Sequence, residues 1–185
     1  MSDPLGLATR FGLPSEMLWL REALPRERWT GLNPTAAFWM QMHDGFRRQQ
    51  ADMTATIADW RNGGDVRAFH GRILPLLQAH LQHLDGHHRI ESDHYFPQFR
   101  RVEPRIQSGL DLLDRDHEAV HARLETMFLA AREFHGRLQT GAPDPTSAAD
   151  HLADTILASG TPMLRHLEDE EDIVIPLMQK HGRDG

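Results

Sequence analysis

Two stretches of this 185-residue chain repeat one pattern of side chains able to bind metal. HHRIESDHYFP covers residues 87–97 and HLEDEEDIVIP covers 166–176, so His87 matches His166, Glu91 matches Glu170 and Pro97 matches Pro176. Both read H-x3-E-x5-P. A second pair also corresponds: His43-Asp44 in MHDGFRR and His117-Glu118 in DHEAVHARL, the latter adding His121 where the former has Arg47. Neutral imidazole is the commonest metal ligand in proteins, and carboxylate oxygens can bridge two cations while offsetting part of their charge. The chain holds 13 histidines and no cysteine, so a site here must use nitrogen and oxygen donors. Thiolate ligands, disulfides and cysteine nucleophiles are excluded together.

The spacing suits such a site. On an α-helix, residues i and i+4 lie about 40° apart in rotation and roughly 6 Å apart along the axis. His87/Glu91, His117/His121 and His166/Glu170 can therefore each present two donor atoms to one interior point. Their heights agree as well. His121 and His166 lie 22 and 23 residues either side of residue 143, Glu91 and His117 each lie 13 from residue 104, and His43 and His87 lie 20 and 24 from residue 63. With turns at those three points, all the candidate ligands share one level. Five imidazoles and two carboxylates exceed the needs of one ion, which implies two adjacent ions. A structural zinc site takes about four ligands, often thiolates, and ferritin-like di-iron sites use Glu-x-x-His with more carboxylates. The donor set favours iron, with manganese or zinc as alternative occupants.

The elements that must position these residues are helical. Asn33-Pro34 reads as a cap and first turn. Apolar residues then recur at helical spacing through Phe38, Met42, Phe46, Met53, Ile57 and Trp60 until Asn62-Gly63-Gly64 ends the segment. Asp65 can cap a second helix reaching about Phe96, with kinks expected near Pro75 and Gly86. Pro97 and Pro104 bracket a short connection. A third helix runs from about Ile106 to Leu138, and a fourth from about Ser147 to Lys180, disturbed at Gly160 and Pro162; the loop GAPDPT, 141–146, separates them. The expected fold class is all-α, an up-down-up-down four-helix bundle. Residues 33–182 would form the metal-binding bundle and residues 1–32 an N-terminal arm, with one short helix near Ser15–Leu24 capped by Ser15.

Acidic residues outnumber basic ones, 27 to 20, and no Lys/Arg run appears, so neither nucleic acid nor an anionic membrane is an expected partner. No stretch approaches the roughly 18 consecutive apolar residues of a spanning helix. MSDPLGLATRFG lacks the basic and apolar regions of a signal peptide, and a cytoplasmic location is the expectation.

His43, His87-x3-Glu91, His117-x3-His121 and His166-x3-Glu170-Glu171 together resemble the hemerythrin, or HHE cation-binding, family over about residues 34–180. The resemblance implies a hemerythrin-like bundle with a non-haem di-iron centre. In it, His117, His121 and His166 bind one iron, and His43 and His87 bind the other and leave it an open position. Glu91 and one of Glu170 and Glu171 bridge the pair. Dioxygen is the implied ligand. The family also places a bulky apolar residue one turn before the fourth-helix histidine, lining the oxygen pocket, where this chain has Met163. Oxygen-carrying members put the bridging carboxylate five residues after that histidine, which is Glu171. The internal repeat points instead to Glu170, which lies about 40° from His166 whereas Glu171 lies about 140° away.

Other residues compete for roles. His88 is an additional candidate ligand, disfavoured by the roughly 100° of rotation that separates it from His87. Tyr95, one turn after Glu91, is placed either to hydrogen-bond a bridging carboxylate or bound oxygen, or to sit at the core edge. His80, His83 and His94 read as a wet helix face, and His135 and His151 as surface residues. Part of the acidic run Glu168–Asp172 should face solvent, and the Trp and Met residues read as core. Two functions are implied by the resemblance. One is binding of dioxygen or a related small ligand as a sensor, store or scavenger, a sensor requiring a separate signalling partner. The alternative is a di-iron oxidoreductase acting on peroxide, oxygen or nitric oxide. A structural metal-holding bundle is a third reading.

Overall fold

The computed structural model describes residues 3, 5–141 and 144–182, and every regular element among them is helical. These elements are α1 (Trp19–Ala23), α2 (Pro34–Arg61), α3 (Val66–Ile90), α4 (Phe96–Val102), α5 (Gln107–Thr140) and α6 (Pro145–His181). A π turn, Glu91–Tyr95, joins α3 to α4, and short 3-10 turns occupy Ser15–Met17, Arg26–Arg28 and Pro104–Ile106. The fold is all-α. α2 runs antiparallel to α3, and α5 to α6. Along α2 and α3 the pairs are Asp59 with Arg72, Gln49 with His80 and His43 with His87. Along α5 and α6 they are Arg123 with Ala158, His117 with His166 and Gly109 with Ile173.

Local chemistry sets the helix ends. Asn33 Oδ1 accepts the Ala36 N–H at 3.0 Å and Asp65 Oδ1 accepts those of Arg67 and Ala68 at 2.9 Å, each satisfying donors that the first turn leaves free. Gly141 closes α5 in the left-handed region at φ 64°, where a side chain would strain the backbone. Of the loop expected at 141–146, Ala142 and Pro143 lie outside the described residues.

Several expected boundaries move. The fourth long helix begins at Pro145, because Asp144 rather than a later residue caps it by accepting the Ser147 N–H. It then runs unbroken through Gly160, Pro162 and Pro176. Pro162 cannot donate to the Ala158 carbonyl one turn back, and Arg123 Nη1 reaches that oxygen instead at 3.4 Å. Pro97 does not end its helix. The π turn sets it in the first turn of α4, where a missing N–H costs little. Ser15 caps nothing: it starts a 3-10 turn, and the short α1 comes only from Trp19 onward.

Two apolar clusters fill the bundle, with a polar layer between them on every long helix. Phe46, Leu84, Val120 and Leu167 belong to one cluster; Trp39, Phe96, Leu113 and Ile173 belong to the other. Between them lie His43 on α2, His87, His88 and Glu91 at the end of α3, His117 on α5, and His166 and Glu170 on α6. The N-terminal arm adds Leu7 to the first cluster and Leu20 to the second. No helix among the described residues is long and apolar enough to cross a membrane.

Leu152 on α6 is fully buried in the first cluster, away from the polar layer. Leu152→Ala is expected to cost about 2–5 kcal/mol of stability in urea unfolding. Cation stoichiometry should be unchanged, since no donor atom moves.

Candidate metal centre

The polar layer contains two clusters of donor atoms. His88, His117 and His166 form one, and His43, His87, Glu91 and Glu170 form the other; within each, one donor atom per residue lies within 4.8 Å of all the rest. Two carboxylates connect them. Glu91 places Oε1 2.7 Å from His87 Nε2 and Oε2 3.4 Å from His117 Nε2. Glu170 places Oε1 3.6 Å from His43 Nε2 and Oε2 3.4 Å from His166 Nε2. Each carboxylate thus turns one oxygen to each cluster.

Buried polar atoms normally find hydrogen-bond partners. Here, of the twelve buried side-chain nitrogen and oxygen atoms without one among the described residues, eight belong to His88, Glu91, His117, His166 and Glu170. A concentration of unsatisfied imidazole and carboxylate lone pairs in one layer fits a cation site.

The outer ring nitrogens of His43 and His117 are hydrogen-bonded from behind, and that of His166 faces a carboxylate beyond hydrogen-bond distance. His43 Nδ1 lies 3.0 Å from Glu171 Oε1, which also accepts from Arg47 at 2.7 Å. His117 Nδ1 lies 3.0 Å from Ser92 Oγ, which donates to Asp114 at 2.7 Å. His166 Nδ1 lies 3.6 Å from Asp116 Oδ2. Trp39 Nε1–H donates to Glu170 Oε1 at 2.5 Å. Fixing Nδ1 outward aims Nε2 into the layer.

Burial divides the charge states. It pushes His87 down to about 4, with Glu170 opposing and His43 adding, and pushes His117 down to about 3, assisted by His166. Burial and then His117 hold His88 far below the ordinary histidine range. Burial also lowers His43, but the adjacent Glu170 and Glu171 outweigh it and hold that ring up at about 9. Glu91 is raised well above the carboxylate range by burial and then by Glu170. Glu170 is held low despite its burial, because His43 and His166 face it.

Of the residues expected from the sequence, the structure brings together His43, His87, Glu91, His117, His166 and Glu170. It places three others elsewhere. His121 lies outside both clusters: its side chain is 39% exposed, and its Nε2 is 3.8 Å from Asp85 Oδ1. His88 stands in its place, stacked on His117 at 4.1 Å between ring centroids. The 100° step that counted against His88 is what the packing requires. α3 sits at a corner of the bundle, so His87 faces α2 while His88 faces α5 and α6. Glu171 turns away from the clusters toward Arg26 and Arg47 and touches only the outer nitrogen of His43. Met163 is buried in the first apolar cluster, beside a small cavity it shares with Gln50, His80 and Leu84. Tyr95 packs edge-on against Trp39 at 4.9 Å and makes no hydrogen bond to Glu91 or Glu170 among the described residues. Trp39, read from sequence as core, makes that bond instead. His80, expected on a wet face, is fully buried and meets Gln49.

A groove of about 700 Å³ between α2 and α3 ends at the second cluster, lined there by Trp39, Phe46, Gly86, His87, Glu91 and Tyr95. A Cβ on Gly86 would meet nothing within 4 Å.

Two measurements test this arrangement. His88→Ala is expected to lower bound cation per chain in elemental analysis, and His121→Ala to leave it unchanged; the reverse pattern would restore His121 to the site. His43, held up at about 9, carries a proton at pH 7, and Glu91 is shifted toward its protonated form, yet a side chain must give up its proton to bind a cation. Ferrous iron added to chelator-stripped protein in weak buffer at pH 7 should therefore release protons, and affinity should fall as the pH is lowered. Uptake without proton release would contradict these charge states.

Comparison with curated proteins and with solved structures returns no match. The family model described as the hemerythrin HHE cation binding domain, in contrast, matches residues 35–178, which include every residue of both clusters. The chain belongs to the hemerythrin HHE cation-binding family.

Proposed function

We propose that this protein is a non-haem di-iron protein that binds dioxygen or a related small ligand on the His43/His87 side of its centre, serving as a sensor, store or scavenger. The observation that carries the reading is the division of Glu91 and Glu170 between the two histidine clusters. A carboxylate with one oxygen aimed at each cluster is arranged to bridge two ions, and one ion would leave half of each pair unused. Imidazole and carboxylate without thiolate suit iron.

The clusters are unequal. Beside one oxygen from each carboxylate, the first offers the imidazoles of His88, His117 and His166, and the second those of His43 and His87 only. The side with fewer donors is also the side on which the α2–α3 groove ends. Ferrous iron, when bound, supplies the electrons and the exchangeable coordination position that dioxygen binding needs. The chain supplies the setting. Phe46 and Trp39 keep the inner groove apolar, Trp39 holds Glu170 by its N–H, and Glu171 and Arg47 fix the His43 ring from behind.

Anaerobic reconstitution with ferrous iron should give about two irons per chain, and a value of one would sink the dinuclear reading. Aeration should produce a new visible absorption that disappears under vacuum and returns over repeated cycles. Rapid irreversible decay, with catalytic consumption of peroxide, oxygen or nitric oxide, would favour the oxidoreductase instead. Two bound irons with neither behaviour would overturn both.

A further inference from the structure

The N-terminal arm lies outside the stretch that matches the family, yet three of its arginines reach the carboxylates around the centre. Arg10 is the most enclosed, with its side chain 1% exposed. Its Nε donates to Asp169 at 2.7 Å, and Nη1 and Nη2 grip both oxygens of Asp116. Asp116 in turn faces His166 Nδ1 at 3.6 Å, an electrostatic contact longer than a hydrogen bond. Arg26 makes a similar set of bonds on the other side: Nη1 to Glu171 at 2.9 Å, Nε to Asp172 at 2.6 Å and Nη2 to the Glu168 carbonyl at 2.7 Å. Glu171 lies behind His43 Nδ1. One arm arginine therefore stands behind a histidine of each donor cluster, with a single carboxylate between.

We propose that Arg10 and Arg26 are positioning residues of the metal centre, each clamping the carboxylate that orients one ligand histidine, Arg10 through Asp116 to His166 and Arg26 through Glu171 to His43. The inference rests on cation binding by these clusters. The guanidinium fork suits the task because its several donors are fixed in one plane: Arg10 holds Asp116 at two points, and Arg26 ties Glu171 to Asp172 and to the Glu168 carbonyl. A lysine at either place would keep the charge and lose the fork. The arm thereby becomes part of the site rather than a covering for it. Its anchoring is what keeps two imidazoles aimed inward, and any event that draws the arm away would loosen one ligand at each position together.

The sign of the effect separates positioning from simple charge. Removing a guanidinium removes positive charge near a cation, which on its own would tighten cation binding. Loss of an orienting partner weakens binding, by about tenfold in comparable metal sites. Cobalt(II) is a suitable probe, because paramagnetically shifted proton resonances report each ligand ring separately. In the full chain loaded with cobalt, Arg26→Gln is expected to weaken binding about tenfold and to move the ring N–H resonance of His43. Arg10→Gln should do the same for His166, and Arg26→Lys should restore affinity only in part. Arg10→Gln leaves two buried carboxylates unpaired, so a loss of folding in that variant makes the 31%-exposed Arg26 the deciding position. Unchanged or tighter binding in Arg26→Gln, with the His43 resonance unmoved, overturns the proposal while leaving the metal reading intact. Failure of the wild-type chain to bind cobalt at all overturns both.

Discussion

The fold is organised around a run of acidic side chains in the interior. Asp169, Glu170, Glu171 and Asp172 are consecutive on α6 and all buried, and the helix stays buried on every side from there to Met178. A helix of this kind would ordinarily turn such residues to water, because taking unpaired carboxylates out of solvent costs several kcal/mol each. Four consecutive positions cover the whole circumference of a helix. No single neighbour can neutralise them, so each is met from a different direction. Glu170 faces His43 and His166 in the core. Asp169 meets Arg10, and Asp172 meets Arg26 and Arg21, all from the arm. Glu171 is shared by Arg26, Arg47 and His43. The arm must therefore wrap over α6, and α2 must present both Trp39 and His43 to it.

The end of α3 answers a different constraint, that of serving two donor clusters from one helix. His87 and Glu91 share a face by their spacing of four, and His88 and Ser92 share the next one. The first face meets His43 and the groove; the second meets His117 and, through Ser92, Asp114. The π turn begins at Glu91, directly after these histidines. A turn of this type widens the helix and shifts the register of the residues beyond it. Here it carries the chain past Pro97 without a break. The proline that marks the sequence repeat thus sits in two different settings, near the start of α4 and inside the continuous α6.

Apolar clusters above and below seal the polar layer, and this accounts for its electrostatics. His87, His88 and His117 are kept neutral by burial, while His43, the ring that faces both Glu170 and Glu171, is kept charged. Three neutral imidazoles are ready to donate lone pairs; His43 holds a proton that a cation displaces, and Glu91 is shifted the same way. Charge within the layer is therefore distributed so that a cation replaces protons rather than adding to them.

The sequence by itself determined the helical class, the caps at Asn33 and Asp65, and the level at which donors collect. Periodicity, capping chemistry and residue counts between turns are local or one-dimensional properties. It also singled out His43, His87, Glu91, His117, His166 and Glu170, because a spacing of four fixes a shared face wherever the helix is packed. Tertiary structure alone decided which neighbouring face looks inward. His88 entered the first cluster and His121 left it because α3 occupies a corner between α2 and α5, an arrangement that no helical wheel contains. Trp39 and Ser92 became partners of Glu170 and His117 through contacts across 131 and 25 residues of chain. The arm was illegible for the same reason: Arg10 and Arg26 look like ordinary surface arginines until folding places them against acids 159 and 146 residues away.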